Sequence, residues 1–155
     1  ALAKGALFLA VAGLGMHFQS LTLTDLAGAA KRMPWTMGAF VIAGLSLMGI
    51  PGTAGFISKW QLISAALAEG NLGIAIVAVV LIGSLMAVVY VWRVVEAAYF
   101  HSPRAGGPEG LQEAPPMLLA ATWAAALANV YFGLAPGLPI ELSQAAAASL
   151  LQHLP

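Results

Sequence analysis

The sequence predicts an all-α membrane protein, a polytopic helix bundle in which one transmembrane helix is discontinuous. Of its 155 residues, 61% are hydrophobic and only 8% are charged, about a third of the charged share of a typical soluble domain. Residues 72–92 contain no charged side chain, which is long enough to span ~30 Å of hydrocarbon as a helix. A segment rich in glycine and proline, GIPGTAGF, interrupts another long apolar region.

The composition also excludes several functional classes. A net charge of zero argues against a nucleic-acid partner, and the absence of cysteine excludes disulfides and thiolate metal sites. The sequence has no nucleotide-binding loop, no metal-ligand spacing and no nucleophile beside a base. We therefore expect no cofactor, no metal and no catalytic chemistry of its own. The chain begins inside an apolar stretch without a charged leader, so we expect a fragment of a longer protein.

Four apolar regions are predicted to be membrane segments. Residues 1–16 form a truncated span, and residues 34–68 form a longer region that is broken near 49–55. The last two predicted spans cover residues 72–100 and 117–135.

Two polar or amphipathic segments complete the chain, which we treat as one membrane unit over residues 1–155. Residues 101–116 are rich in proline, glycine and charge, which predicts a solvated loop. Residues 139–153 have the pattern of an amphipathic helix that lies at the membrane interface.

The region 34–68 is too long for one straight span and barely long enough for two, at roughly 17–25 residues each. It forms either a hairpin that turns at Pro51 or a single crossing that is broken in the middle. A single crossing places Lys31, Arg32 and Arg104 on one side and leaves the other side without lysine or arginine. Because positive charge accumulates on the cytoplasmic side, we favour the single crossing with this charged face in the cytoplasm.

The break itself predicts a polar interior. Pro51 removes a backbone donor, and Gly49, Gly52 and Gly55 permit dihedral angles that other residues avoid. Freed backbone groups are expensive in a bilayer unless protein or trapped water satisfies them. Small hydroxyl side chains close to the break are candidates for this support, namely Ser46, Thr53 and Ser58.

Two lysines in apolar surroundings are the candidates for proton relay. Lys59 follows Pro51 by eight residues, and an ammonium near the bilayer centre costs roughly 2.5–3.5 kcal/mol. If the region were a hairpin, Lys59 would instead extend to an interface, with Trp60 as an interfacial aromatic residue. Lys4 lies about 18 Å from Met16 by helical rise, near mid-membrane. In the alternative interpretation, Lys4 lies at an interface in the intact chain.

Three further polar residues have structural interpretations. Arg93 and Glu96 are three residues apart near the end of a predicted span, so they share a helical face and are predicted to form an interface ion pair. Asn129 lies inside the last span and is predicted to hydrogen-bond to a neighbouring helix.

Three segments resemble, in this order, the antiporter-like membrane subunits of related complexes: ALAKGALFLAVAG, TDLAGAAKRMPWTMGAFVIAGLSLMGIPGTAGFISKW and SLMAVVYVWRVVEAAYF. These complexes are the Mrp-type multisubunit cation/proton antiporters, in particular their D subunit, and the proton-pumping NADH–quinone oxidoreductases and membrane-bound hydrogenases. The resemblance implies the C-terminal part of an inverted-repeat fold. Lys59 matches the lysine of the family's second broken helix, which exchanges protons with one aqueous face. Lys4 matches the relay lysine of the preceding helix.

The resemblance implies a proton-translocating subunit of a multisubunit cation/proton antiporter, in which buried lysines relay protons along a hydrated path. The first alternative is a proton-pumping subunit of NADH–quinone oxidoreductase or membrane-bound hydrogenase, hence part of a redox-driven translocase. The second is a structural membrane subunit that does not conduct. The expected partners are other membrane subunits, protons, Na⁺ as a coupled ion, and the lipid bilayer. The expected location is the bacterial plasma (inner) membrane, as a multi-pass protein.

Overall fold

The computed structural model describes residues 2–16, 22–68, 70–102, 112–137 and 140–141. Within these ranges the regular secondary structure is helical, which confirms the predicted all-α class. Most of the predicted amphipathic tail and residues 103–111 of the predicted loop lie outside the described residues. The helices are α1 (Leu2–Gly15), α2 (Ala29–Arg32), α3 (Pro34–Met48), α4 (Ala54–Leu67), α5 (Asn71–Phe100) and α6 (Pro116–Leu134).

Helices α5 and α6 are each long and apolar enough to cross a membrane, and α1 and α3 are shorter apolar helices. The 30 residues of α5 extend about 45 Å at 1.5 Å per residue, more than the ~30 Å hydrocarbon core. The last turns of α5, which carry Arg93 and Glu96, can therefore lie outside the hydrocarbon core.

Between α3 and α4 the chain leaves helical geometry, which confirms the predicted discontinuous helix. Gly49 adopts a left-handed conformation with φ of 91°, and its amide donates to the carbonyls of Leu45 and Ser46. This arrangement closes the last turn of α3, as left-handed glycines commonly do at helix ends. Gly52 also has a positive φ of 88°, and the Thr53 hydroxyl donates to the Ile50 carbonyl at 2.7 Å. The chain then resumes as α4 at Ala54.

Helix α6 supports the break from the side. It packs against α1, α3 and α4, while α4 also packs against α5. Gly133 of α6 lies so close to Thr53 that an added Cβ would overlap the Thr53 backbone. The absence of a side chain at Gly133 thus lets α6 approach the non-helical residues between α3 and α4.

Two contacts distinguish the single broken crossing from a hairpin. The Glu113 carboxylate accepts hydrogen bonds from the Trp35 amide at 2.7 Å and the Thr36 hydroxyl at 2.7 Å. The Gly28 amide donates to the Ala97 carbonyl near the end of α5. The start of α3, the end of α5 and the start of α6 therefore share one end of the bundle. A hairpin would place the start of α3 at the opposite end from the start of α6.

Candidate functional site

The side chain of Lys59 extends from α4 back to the end of α3. Its Nζ donates to the Leu47 carbonyl at 2.7 Å, the Met48 carbonyl at 3.0 Å and the Ser84 hydroxyl at 2.7 Å. An ammonium has three N–H donors and no acceptor, so these three oxygens use its full donor capacity. Two of them belong to the last turn of a helix, where carbonyls lack intrahelical partners and carry partial negative charge.

Gly49 provides the space that this side chain occupies. A Cβ added at Gly49 would lie 3.1 Å from Lys59 Cδ and 3.3 Å from Lys59 Nζ. The sequence indicated this glycine only as a conformational break. In the structure Gly49 also lies against the Lys59 side chain. The same glycine therefore forms the turn and part of the lysine site.

Ser84 of α5 is the site residue that sequence reasoning missed. Its hydroxyl accepts from Lys59 and donates to the Val80 carbonyl at 2.9 Å. The only sequence signal is a single small polar residue within the uncharged stretch 72–92. Such residues are common at helix contacts in membranes, so this signal did not identify a partner for Lys59.

A second polar cluster joins α3, α4 and α6 at the break. The Ser46 hydroxyl donates to Asn129 Oδ1 at 2.9 Å and accepts from the Gly55 amide at 3.1 Å. Ser46 and Asn129 are fully buried, with exposed fractions of 0% and 1%. The cluster satisfies a first-turn amide of α4 that has no carbonyl partner within its own helix. Asn129 Nδ2 has no hydrogen-bond partner within the part of the chain that the structure describes.

The other predicted break residues have different surroundings. A Cβ at Gly55 would overlap the Ser46 carbonyl oxygen, so Gly55 permits close contact of α4 with α3. Pro51 is exposed, and a Cβ at Gly52 would meet the Leu134 side chain at 3.6 Å. Ser58 is exposed, and its hydroxyl donates to the Gly55 carbonyl within its own helix at 3.1 Å.

The structure does not bring Lys4 to Lys59. Lys4 is exposed on α1, and α1 packs mainly against α3 and α6. Phe8, one turn further along α1, is 73% exposed. The relay role of Lys4 therefore stays a prediction.

Residues 22–28, which we call the connector, precede α2. Arg93 and Glu96 line a groove between this connector and the end of α5. Thr24, Ala97 and His101 line the same groove. The predicted ion pair between Arg93 and Glu96 stays a prediction. Among the described residues, His, Asp and Glu form no group of three or more that could hold a metal ion.

Residues 1–87 match the family described as NADH:quinone oxidoreductase/Mrp antiporter, TM. The chain belongs to this family. The match covers the lysine-bearing α1, the discontinuous helix with Lys59, and the part of α5 that contains Ser84. It confirms the resemblance that the three sequence segments indicated.

Two curated relatives are subunits of NADH-quinone oxidoreductase in different organisms. NADH-quinone oxidoreductase subunit N of Desulforudis audaxviator (strain MP104C) is 41% identical over 116 residues, which are 75% of this chain and 23% of that protein. Subunit N 2 of Syntrophobacter fumaroxidans (strain DSM 10017 / MPOB) is 31% identical over 148 residues, 96% of this chain and 30% of that protein. The chain thus spans less than a third of the length of either relative.

Solved structures of two membrane complexes contain the same fold. The Mrp complex from Dietzia sp. DQ12-45-1b matches with a TM-score of 0.84 and 26% identity, over 96% of this chain and 35% of that one. The membrane-bound sulfane sulfur reductase (MBS), an archaeal respiratory membrane complex, matches with a TM-score of 0.73 and 34% identity, over 85% of this chain and 21% of that one. Together with the family match, these structures show that the chain is an integral membrane segment of the antiporter-like class.

Within this family fold, the site combines a titratable amine with a gap in a membrane helix. Lys59 is half-buried, and three oxygen acceptors surround its amine. Such an arrangement can hold a proton on nitrogen and exchange it with water that reaches the break.

Proposed function

We propose that this chain forms part of a proton-translocating membrane subunit of a multisubunit complex, in which Lys59 takes up and releases a proton at the helix break. The proposal rests on one observation: the Lys59 ammonium donates hydrogen bonds to the Leu47 and Met48 carbonyls and to the Ser84 hydroxyl. Placing a charged side chain within a membrane segment costs free energy, and such residues are typically functional.

The surroundings of Lys59 support a transport role over simple anchoring at an interface. No other residue of α3 or α4 carries a charged side chain, so the amine has no carboxylate partner on these helices. Its two carbonyl acceptors lie at the end of α3, beside the interruption between the two half-helices and six and seven residues before the start of α4. A lysine that only reached for the headgroups would extend away from the break instead.

The sequence identities between this chain and known proteins favour one host complex. The two curated relatives named above are subunits of NADH-quinone oxidoreductase, at 41% and 31% identity. The respiratory MBS structure is 34% identical, against 26% for the Mrp structure. We therefore propose a redox-driven complex as the host, in a bacterial plasma membrane and with other membrane subunits as partners. An Mrp-type antiporter is the second candidate, because the Mrp structure matches 96% of this chain against 85% for the MBS structure. Na⁺ is a coupled ion in that second case only.

The proposal is tested by replacing Lys59 with alanine in the complete complex, reconstituted in lipid vesicles. Proton transport driven by the complex is expected to fall at least about tenfold, which corresponds to a barrier increase of roughly 1.4 kcal/mol. The matched control is Lys31→Ala, which removes an exposed lysine from α2 outside the site. Transport by this control is expected to stay within about twofold of the wild-type rate.

A structural subunit predicts a different result. If Lys59 serves only packing, Lys59→Met, which keeps the unbranched chain and removes the charge, leaves transport unchanged in an assembled complex. Wild-type transport by both Lys59 variants, with normal assembly, would disprove the proposed role of this amine.

A further inference from the structure

We propose that Ser84 of α5 is a positioning residue that holds the Lys59 amine in both of its protonation states. This inference rests on the proposed function of Lys59 and adds a residue from a different helix. It starts from one pair of contacts: Ser84 Oγ accepts from Lys59 Nζ at 2.7 Å and donates to the Val80 carbonyl at 2.9 Å.

In the protonated state, Ser84 completes the acceptor set of the ammonium. The Leu47 and Met48 carbonyls accept two of its three N–H groups, and Ser84 accepts the third. Because the Ser84 hydroxyl directs its own hydrogen towards Val80, its lone pairs remain available to the ammonium. Without Ser84, one N–H of a partly buried cation would lack its partner in the structure, and hydrogen bonds to charged groups are the costly ones to lose.

In the neutral state, Ser84 has a property that the other two partners lack. A neutral amine carries a lone pair that accepts a hydrogen bond, and a backbone carbonyl has no proton to donate. A serine hydroxyl can rotate about its Cβ–Oγ bond and donate to that lone pair. Val80 then still accepts the backbone bond of its own helix. Ser84 loses no proton in this exchange, because the transported proton leaves from nitrogen.

Among the described residues, no titratable side chain takes this role on the helices that pack against α4. Helix α3 and the rest of α4 contain none. Helix α5 carries Tyr90, six residues beyond Ser84, and α6 carries Tyr131, which is exposed. The remaining titratable residues of α5 lie at least nine residues beyond Ser84, namely Arg93, Glu96 and Tyr99. Ser84 is thus the only side chain that hydrogen-bonds to the Lys59 nitrogen among the described residues.

The test uses the complete complex in vesicles and measures proton transport over a range of pH. Ser84→Ala removes the partner of both states, but the bond to the charged ammonium is the stronger of the two. The variant is therefore expected to lower the rate roughly tenfold and to displace the midpoint of the pH profile by about one unit. Ser84→Thr keeps the hydroxyl and is expected to keep both the midpoint and, within about twofold, the rate. The matched control is Gly83→Ala, because an added Cβ there meets nothing within 4 Å. A merely structural role of Ser84 would not move the midpoint.

The outcomes separate this inference from the proposed function. If Lys59→Ala abolishes transport while Ser84→Ala keeps the wild-type rate and midpoint, the role of Ser84 is disproved and that of Lys59 stands. If Lys59→Ala transports normally, the proposed function itself fails. Should Ser84→Ala not assemble, Ser84→Cys replaces it, because a thiol has a similar size and is a weak hydrogen-bonding group. A wild-type midpoint in that variant would equally overturn the inference.

Discussion

At the scale of single residues, the site depends on Gly49 as much as on Lys59. The positive φ of Gly49 turns the chain at the end of α3, and its missing side chain leaves space for the lysine stem. The same residue thereby exposes the final carbonyls of α3 and admits the cation that they bind.

Replacing Gly49 with alanine is expected to impair both functions. The left-handed conformation costs a residue with a Cβ about 1–2 kcal/mol, and the new methyl group would crowd the Lys59 stem. We expect a lower melting temperature of the purified complex and a several-fold slower proton transport. Gly5→Ala in α1 is the matched control, since an added Cβ there meets nothing within 4 Å. Equal thermal stability and transport in the two variants would contradict this role of Gly49.

Only some residues of this site could be identified from the sequence. Lys59 and Gly49 are conspicuous, because a charge and a cluster of helix-breaking residues stand out in an apolar sequence. Ser84 does not stand out, because its partner lies 25 residues away and only tertiary packing brings the two together. Asn129 was predicted to bond to a neighbouring helix, but its partner Ser46, 83 residues away, could not be identified from sequence for the same reason.

At the scale of elements, α6 fixes the geometry of the break. Its Asn129 binds Ser46, which in turn accepts from the Gly55 amide, so one side-chain relay connects three helices. Gly133 brings the α6 backbone against Thr53. These contacts fix the position of α4 relative to α3, although no continuous series of helical backbone hydrogen bonds joins the two half-helices.

Asn129→Ala is expected to destabilise this junction. The Ser46 hydroxyl would lose its buried acceptor, which costs about 1–3 kcal/mol when no replacement is available. We expect a melting temperature below that of the wild-type complex. Leu127→Ala, which truncates a 57% exposed side chain of the same helix, is the matched control and is expected to change stability less. If the two variants melt at the same temperature, the relay through Ser46 does not support the break.

The sequence predicted which helices form and where one is interrupted, but it did not predict which elements contact each other. Hydrophobic run length indicated the long helices, and the glycines and proline indicated the interruption, because both signals are local. The capping of α3 by Glu113 was not predictable, since a carboxylate in a segment read as a solvated loop gives no sign of the helix that it will contact.

At the scale of the whole molecule, the ends of the helices define two faces. The hydrogen bonds of Glu113 to Trp35 and Thr36 and of Gly28 to Ala97 bring the connector, the end of α5 and the start of α6 to one face. The turn between α4 and α5 lies at the other. The connector face carries the positive charge of α2, which predicts that it faces the cytoplasm.

This orientation can be tested by labelling single cysteines, because the chain has none of its own. Thr24→Cys and Ser102→Cys are expected to react with a membrane-impermeant maleimide from the cytoplasmic side only, and Gly70→Cys from the opposite side only. All three residues are exposed. A hairpin at Pro51 would instead make Thr24→Cys and Gly70→Cys react from the same side.

The topology also decides whether Lys59 can take part in proton transfer. Since Lys59 contacts the last carbonyls of α3, only a single crossing places the amine within the membrane between two aqueous faces, as proton transfer across the bilayer requires. Labelling of Thr24→Cys and Ser102→Cys from opposite sides would therefore contradict both the topology and the mechanism built on it.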